Sequence, residues 1–245
     1  MDLHLKGKRA LVTGGTKGIG RAIAFGLADE GCDVAICARD GVGVAATVAA
    51  LRALDVGDGA ALQRFIDRAA QLLGGLDILV CNASALASGS DEEAFRRAFD
   101  IDLMHTRNAA EAALPHLVKA GGGAITAISS ISGSEDSGYN SSAYGTMKAA
   151  LFFYMKSLAR HVAARNIRAN VVSPGTTLFA DGFWDKVKRD EPERFARTVA
   201  ENPFGRMARP DEIADAVVFL SSQRASFISG TNLVVDGTLT LRIQN

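Results

Sequence analysis

Tyr144 and Lys148 are the residues whose types and spacing point most directly to chemistry. They lie four positions apart in a stretch of helical periodicity, which places them one turn apart on the same face. An ammonium group there favours the tyrosinate form of its neighbour. A tyrosine so assisted can protonate a carbonyl oxygen or deprotonate an alcohol, for which a free phenol is too weak an acid. The pair therefore predicts general acid and base catalysis, and an ordinary helix-surface pair is the alternative.

A glycine-rich turn lies far upstream, with the sequence Thr13-Gly14-Gly15-Thr16-Lys17-Gly18-Ile19-Gly20. It follows a short apolar strand pattern and precedes a helical one, so backbone N–H groups and the positive end of a helix would meet there. Glycines let a pyrophosphate approach the backbone closely. A tight turn that binds nothing is the alternative. The order and separation of this turn and the Tyr144 to Lys148 pair predict a hydride-transferring enzyme with a dinucleotide cofactor.

The elements that must position these residues alternate between short apolar runs and longer stretches of helical period, as in a parallel sheet with helical crossovers. The predicted strands are 9–13, 33–38, 51–55, 77–81, 124–129, 167–172 and 233–235. The predicted helices lie near 19–30, 59–73, 91–119, 142–164 and 210–222. Because the strand cores are continuously apolar, we expect both faces of a doubly wound α/β sheet to be covered. An alanine-rich unit at 42–54 and an irregular stretch at 179–209 interrupt the repeat.

The composition is that of an ordinary globular protein. The 245 residues are 48% hydrophobic and 22% charged, and 27 basic residues balance 27 acidic ones. No net charge would recruit nucleic acid or an anionic membrane, and no signal-like or membrane-spanning stretch is found. We therefore expect a single cytoplasmic domain over residues 1–245. Neither the three cysteines (Cys32, Cys37 and Cys81) nor the histidines have the spacing of metal ligands, so no metal site is predicted.

Motifs distributed along nearly the whole chain resemble the short-chain dehydrogenase/reductase family. These are the turn at 13–20, Asp55-Val56, Asn82-Ala83, Ser130, Tyr144-x-x-x-Lys148, Pro174-Gly175 and Val235-Asp236-Gly237. The resemblance implies a Rossmann-type doubly wound parallel sheet of seven strands in the order 3-2-1-4-5-6-7, flanked by helices, and a homotetramer. Pro210-Asp211-Glu212-Ile213-Ala214 and Phe227-Ile228-Ser229-Gly230 look like the 3-oxoacyl-carrier-protein reductase branch.

The resemblance also implies roles for individual residues. Ser130 would hold the substrate oxygen, and it is preferred to Ser129 and Ser132 because Ser130-Ile131-Ser132-Gly133 matches the family's Ser-x-x-Gly. Lys148 would hydrogen-bond the nicotinamide ribose beside Tyr144. The residues expected to contact the cofactor are Gly14, Thr16, Lys17, Gly18, Ile19, Gly20, Arg39, Asp55, Val56, Asn82, Ala83, Ser84, Tyr144, Lys148, Pro174, Gly175 and Thr177.

Three positions depart from the family pattern. Asp102 stands where the family has an asparagine, which binds through its main-chain carbonyl a water that contacts the lysine; Asp102 is counted here with the catalytic residues. Its carboxylate would hold Lys148 charged and partly offset the help that Lys148 gives to tyrosinate; a solvated, irrelevant Asp102 is the alternative. Ser84 replaces a glycine, and Phe179 replaces a threonine.

Cofactor preference depends on the end of the second strand. NAD enzymes place a carboxylate there for the ribose hydroxyls, whereas NADP enzymes place an arginine near the 2′-phosphate. Here Ala38 takes the acidic position, Arg39 follows it, and Lys17 could add a second cation. NADP(H) is favoured, and NAD(H) remains possible because a shift of register would bring Asp40 to the ribose.

The substrate is expected to be a ketone, a 3-oxoacyl compound or, in reverse, a secondary alcohol. Aromatic residues after Pro174-Gly175 resemble a substrate lid at 178–209, called the lid segment below, but packed lid helices need such residues anyway. An acyl-carrier-protein partner is doubtful, because only Arg165 matches one of two expected arginines and Gly121 takes the other position. The alternatives are an NAD(H)-dependent alcohol, steroid or sugar dehydrogenase, and a catalytically silent dinucleotide sensor.

Overall fold

Seven parallel strands form one sheet in the order β3-β2-β1-β4-β5-β6-β7, as seen in the computed structural model, which describes residues 2–38, 51–136, 138 and 141–243. The strands are β1 (Arg9–Thr13), β2 (Asp33–Ala38), β3 (Leu51–Ala53), β4 (Ile78–Cys81), β5 (Gly123–Ile128), β6 (Ile167–Pro174) and β7 (Asn232–Val235). This is the doubly wound fold that the sequence predicted. The strand from 51 was predicted to reach 55 but ends at Ala53, while the strand from 167 continues past 172 to Pro174.

Helices cover both faces of the sheet. They are α1 (Gly18–Asp29), α2 (Gly59–Leu73), α3 (Glu92–Ala98), α4 (His105–Lys119), α5 (Ser142–Val162), α6 (Phe183–Asp190), α7 (Pro192–Glu201) and α8 (Pro210–Ser221). Leu11 of β1 packs in the core beneath α2, α4 and α5, whereas its neighbours Ala10 and Val12 pack beneath α1 and α8. Because alternate side chains of a strand point to opposite faces, both faces need apolar residues, which explains the continuously apolar strand cores.

Local signals set the helix ends. Asp58 accepts a hydrogen bond from the Ala61 N–H at the start of α2, and Gly74 ends that helix in the left-handed conformation with φ of 75°. Asp91 caps α3 in the same way, by accepting from the Ala94 N–H. The predicted helix at 59–73 is confirmed with the same bounds.

The predicted continuous helix at 91–119 is interrupted. A π-helical segment, Phe99–Met104, joins α3 to α4, and Asp102 lies within it. The Thr106 hydroxyl donates to the Asp102 carbonyl oxygen at 3.0 Å, which holds the widened turn. Such an extra residue changes the face on which side chains emerge and is frequent at functional sites.

The lid segment, predicted only as an irregular stretch, contains α6 and α7. A short parallel bridge between Thr177 and Ala208 brings its two ends together. Asn202, after α7, donates a side-chain hydrogen bond to the Asp236 carbonyl oxygen at 2.9 Å. The lid segment therefore leaves the carboxyl edge of the sheet and returns to it. Among the described residues, no helix is both long enough and apolar enough to cross a bilayer.

Candidate active site

The glycine turn joins β1 to α1 and is too tight for side chains. Gly14 and Gly18 have φ angles of 67° and 54°, in the left-handed region that favours glycine. A Cβ on Gly20 would lie 2.2 Å from the Gly14 carbonyl oxygen. Asn82, at the end of β4, donates from its amide to the carbonyl oxygens of Thr13 and Gly14 at 3.0 and 3.1 Å. The turn thus presents bare backbone at the start of α1, where an anion can bind.

The polar residues of this turn surround its exposed side. Lys17 is exposed and provides no side-chain cap for α1, while Thr16 and Ile19 are half-buried. The Lys17 ammonium can therefore reach an anion at this turn. The structure brings all six turn residues predicted to bind cofactor, from Gly14 to Gly20, to one end of the sheet beside Asn82.

A small pocket lies beside the turn at the carboxyl ends of β2 and β4. Its lining residues are Ala38, Leu54, Val56, Ala83, Ser84 and Ile101. Three of them, Val56, Ala83 and Ser84, are predicted cofactor residues, and the largely apolar walls suit a flat heterocycle such as adenine. Asp55 stands at the rim and accepts a hydrogen bond from the Gly57 N–H at 3.0 Å. Arg39 and Asp40, on which the cofactor preference depends, lie outside the described residues.

Lys148 is held by contacts to the ends of β5 and the π-helical segment. Its ammonium donates to the Ile128 carbonyl oxygen at 2.9 Å and lies 3.0 Å from Oδ1 of Asp102. It is also 5.4 Å from the centre of the Tyr144 ring. The Lys148 and Asp102 side chains are only 2% and 0% exposed. Burial acts most strongly, to lower the pKa of Lys148, but Asp102 and Tyr144 together outweigh it and raise that pKa above its usual value.

Two adjacent serines at the end of β5 have different environments. The Ser129 hydroxyl is buried and donates to the Lys148 carbonyl oxygen at 2.8 Å, so it anchors α5 to the sheet. Ser130 is half-buried and accepts from the Ser132 N–H at 3.1 Å, which leaves its hydroxyl proton for another acceptor. Ser130 therefore stays the serine predicted to hold the substrate oxygen, with Ser132 as the other alternative. Sequence reasoning missed the anchoring role of Ser129, because no local pattern reveals a bond to a residue on a distant helix.

Asp102 also contacts the loop after β4. Its second carboxylate oxygen, Oδ2, accepts from the Ala85 N–H at 3.3 Å. His105, the first residue of α4, is fully buried, and its Nδ1 lies 3.1 Å from the Ile101 carbonyl oxygen. Because that carbonyl can only accept, Nδ1 carries a proton, and the lowered pKa of His105 leaves the ring neutral at pH 7. Burial lowers the pKa of His105 to about 4. No local sequence pattern indicates that His105 adjoins Lys148 and Asp102.

The loop after β6 brings Pro174, Gly175 and Thr177 to the same edge of the sheet. Gly175 lies so close to Asp236 that a Cβ would meet it at 2.8 Å, and the Thr177 hydroxyl donates to the Gly175 carbonyl oxygen at 3.2 Å. Phe179 follows and packs its ring on the glycine turn, since a Cβ on Gly18 would lie 2.6 Å from the ring. The same ring lies against Gly182, at the start of α6.

These groups can perform one kind of chemistry together. A phenol beside a fixed ammonium and a serine hydroxyl can exchange a proton with a carbonyl or alcohol oxygen. The bare glycine turn and the apolar pocket fit the pyrophosphate and adenine of a dinucleotide. In the part of the chain that the structure describes, no group of three His, Cys, Asp or Glu side chains is placed to hold a metal ion.

Comparison with known proteins agrees with this arrangement. Residues 14–240 match the family model described as enoyl-(acyl carrier protein) reductase. Isoepoxydon dehydrogenase patN from Penicillium expansum is 33% identical over 98% of this chain and 97% of its own length. Cis-4-hydroxycyclohexanecarboxylate dehydrogenase from Sinomonas cyclohexanicum is 39% identical over 94% of this chain and 96% of its own.

A solved structure has the same fold. A 7α-hydroxysteroid dehydrogenase, complexed with NADH and 7-oxo glycochenodeoxycholic acid, superposes with a TM-score of 0.90 at 30% identity, over 97% of this chain and 96% of the other. The chain therefore belongs to the short-chain dehydrogenase/reductase family. It is an oxidoreductase of the class that acts on a CH–OH or carbonyl group with NAD(P).

Proposed function

We propose that this protein is an NADP(H)-dependent oxidoreductase that interconverts a ketone or 3-oxoacyl group and a secondary alcohol, with Tyr144 as the general acid and base. The observation that carries the proposal is the fixed position of Lys148, whose ammonium lies 5.4 Å from the Tyr144 ring centre and 2.9 Å from the Ile128 carbonyl oxygen. A protonated, immobile lysine stabilises the tyrosinate that proton transfer leaves.

The chain's own residues would act as follows during carbonyl reduction. The Ser130 hydroxyl donates to the substrate oxygen and holds it beside Tyr144. Tyr144 then gives its phenolic proton to that oxygen, and Lys148 stabilises the resulting tyrosinate. In alcohol oxidation the proton moves the other way. The nicotinamide, when bound, supplies or accepts the hydride.

The residues that would hold the cofactor lie along the carboxyl edge of the sheet. The backbone of Gly14, Gly18 and Gly20 would hold the pyrophosphate, and Val56 and Ala83 would contact the adenine. Lys148 would hydrogen-bond the nicotinamide ribose. The preference for NADP(H) rests on the cations Arg39 and Lys17 and on Ala38, which provides no carboxylate for the ribose hydroxyls.

The proposal extends to the whole chain. Residues 1–245 would form one dinucleotide-binding and catalytic domain, with the lid segment covering a small-molecule substrate. We also propose a homotetramer or a dimer, in which the Phe153 side chain on α5, 81% exposed, would be covered by a partner subunit. A cytoplasmic location agrees with three free, buried cysteines, since thiols stay reduced there.

A second candidate keeps the fold but changes cofactor and substrate. An NAD(H)-dependent alcohol, steroid or sugar dehydrogenase is favoured by the likeness to the 7α-hydroxysteroid dehydrogenase complexed with NADH. A silent dinucleotide sensor would bind cofactor without turnover. An acyl-carrier partner is supported by Arg165 alone.

The test begins with titration of the purified protein with NADPH and NADH, followed by cofactor fluorescence. Ketones, 3-oxoacyl thioesters and sugars are then offered with the preferred cofactor. The proposal expects tighter NADPH binding and oxidation of NADPH by one substrate group. The Tyr144→Phe variant should lose at least about a hundredfold in kcat and keep its cofactor affinity. Turnover that survives this change would contradict the assigned role of Tyr144, and binding without turnover of any compound would favour the sensor.

A further inference from the structure

The ion pair of Asp102 and Lys148 is unusual because both partners are buried. The side chains are 0% and 2% exposed, and the charged atoms lie 3.0 Å apart. An ion pair without water keeps both charges in place, because removing either partner would leave the other unpaired at high cost. The π-helical segment is what turns Asp102 inward to Lys148, and the Thr106 hydroxyl holds that segment by its bond to the Asp102 carbonyl oxygen.

The Asp102 carboxylate differs from an asparagine amide at the same position because it carries a negative charge. An asparagine could also accept from the Ala85 N–H, as Oδ2 of Asp102 does at 3.3 Å, but it would leave the ammonium with its full positive field. Asp102 adds a negative charge next to that ammonium. At the Tyr144 ring, 5.4 Å from the ammonium, the two charges act in opposite directions.

The charged and titratable groups around the pair are few within the described residues. Tyr144 faces Lys148 from the same helix, and His105 faces the pair from the start of α4. His105 is buried and neutral, with Nδ1 bonded to the Ile101 carbonyl oxygen, so it adds no charge. Lys148 and Asp102 thus make opposing contributions to the field at Tyr144.

We propose that Asp102 is a positioning residue that keeps the Lys148 ammonium fixed and charged while it weakens the pull of that ammonium on the Tyr144 proton. Tyr144 therefore keeps its phenolic proton to higher pH than it would beside an unpaired lysine. This suits a protein that works mainly as a reductase, because reduction needs Tyr144 in its protonated form. The inference rests on the proposed function, and it deepens the role of the same site.

The first test is the Asp102→Asn variant, with Asp100→Asn as the matched control because Asp100 is exposed on the same segment. The pH profile of kcat/KM for alcohol oxidation should shift its acidic limb to lower pH by about one unit in Asp102→Asn and not in Asp100→Asn. A merely structural Asp102 would lower kcat/KM by the same factor at every pH. An unshifted or upward-shifted limb overturns the proposal.

A second readout needs no turnover. Tyrosinate absorbs near 295 nm, so each protein is titrated against its own Tyr144→Phe counterpart to isolate this one phenol. The tyrosinate midpoint should fall in Asp102→Asn. If no compound is turned over, the proposed function fails while this titration still decides the role of Asp102. A midpoint equal to that of the unaltered protein overturns the proposal.

A third variant guards against misfolding of Asp102→Asn. The double change Asp102→Asn with Lys148→Met removes both charges at once, which buried pairs tolerate better than the loss of one. If Asp102 offsets Lys148, the tyrosinate midpoint of this double variant should lie close to that of the unaltered protein, because two opposing charges are removed together. A midpoint in the double variant about one unit or more above that of the unaltered protein would show that Lys148 acts on Tyr144 without an offset and would contradict the proposal.

Discussion

Lys148 is held at both its backbone and its side chain by the end of β5. Its carbonyl oxygen accepts from the Ser129 hydroxyl at 2.8 Å, and its ammonium donates to the Ile128 carbonyl oxygen at 2.9 Å. Two consecutive residues of one strand end therefore fix one residue of α5. Ser130, the next residue, accepts from the Ser132 N–H, and under the proposed function its hydroxyl would donate to the substrate oxygen. In this proposal Ser129 therefore serves the structure and Ser130 serves the chemistry.

This division predicts opposite effects of two alanine substitutions. Ser130→Ala should lower kcat/KM by about a hundredfold, because one donor to the reacting oxygen is lost, with little change in stability. Ser129→Ala should lower the free energy of unfolding by about 1 kcal/mol, because a buried hydrogen bond is lost, with a much smaller effect on kcat/KM. Steady-state kinetics and urea unfolding measure both quantities. Equal losses of kcat/KM in the two variants would contradict the separation of roles.

At the residue scale, the sequence predicts what depends on spacing and misses what depends on distant contacts. Tyr144 and Lys148 are four apart on one helix, so their proximity follows from helix geometry. Asp102 was expected near Lys148, and the structure brings the charged atoms to 3.0 Å. The spacing of the histidines excluded only a metal site, and the burial of His105 beside this pair has no local signal. A short apolar or polar pattern does not show which side of a π-helical turn a residue occupies.

At the scale of the elements, Phe179 of the lid segment contacts the glycine turn. The Phe179 ring packs against Gly18 of the turn and against Gly182 at the start of α6. Bound pyrophosphate would approach the same backbone N–H groups at the start of α1. Under the proposed function, the Phe179 ring and the pyrophosphate would therefore compete for one surface.

Removing the ring should strengthen cofactor binding. The Phe179→Ala variant is expected to bind NADPH about threefold to tenfold more tightly, while its affinity for 2′-AMP, which fills only the adenosine side, stays unchanged. Phe183→Ala is the control, because the Phe183 ring contacts Trp184 edge to face and lies beneath the Arg194 guanidinium, within the lid segment. Both affinities can be measured by calorimetry. Weaker or unchanged NADPH binding in Phe179→Ala would show that the ring does not compete.

The strands were predictable because buried parallel strands are continuously apolar. The interruption of the helix at 91–119 was not, since both π and α turns accept the residues of Phe99–Met104. Nor were the bounds of α6 and α7, because their mostly polar and charged residues lack the apolar runs by which the other elements were predicted. The element between β2 and β3, with Arg39, lies outside the described residues, so the preference for NADP(H) stays a prediction.

For the molecule as a whole, buried His105 links stability to pH. Its pKa of about 4 in the folded chain is below the ordinary value of 6.5, because burial penalises the charged ring. The unfolded chain therefore binds this proton at higher pH than the folded one. The stabilising contribution is complete above about pH 6.5 and is lost as pH falls toward about 4, by roughly 3 kcal/mol in total.

Replacement of the ring should remove this dependence. In His105→Asn, the free energy of unfolding is expected to change less between pH 7 and pH 4.5 than in the unaltered protein, by about 2 kcal/mol. His161→Asn, at an exposed position of α5, is the control and should behave like the unaltered protein. Urea unfolding at one protein concentration measures the difference. Identical pH dependence in all three proteins would contradict a buried neutral His105.

The two ends of the lid segment are held together at the sheet, and this has a consequence for proteolysis. α7, which lies wholly within the described part of the chain, fully buries none of its side chains. Lys188 and Arg189 of α6 and Arg194 and Arg197 of α7 are exposed. Trypsin should therefore cut α6 and α7 before it reaches the sheet. Because the Thr177 to Ala208 bridge and the bond from Asn202 to Asp236 lie outside the cut, the two fragments should stay together and keep the dinucleotide surface. A protein nicked in this way should still bind the cofactor but should no longer enclose the substrate.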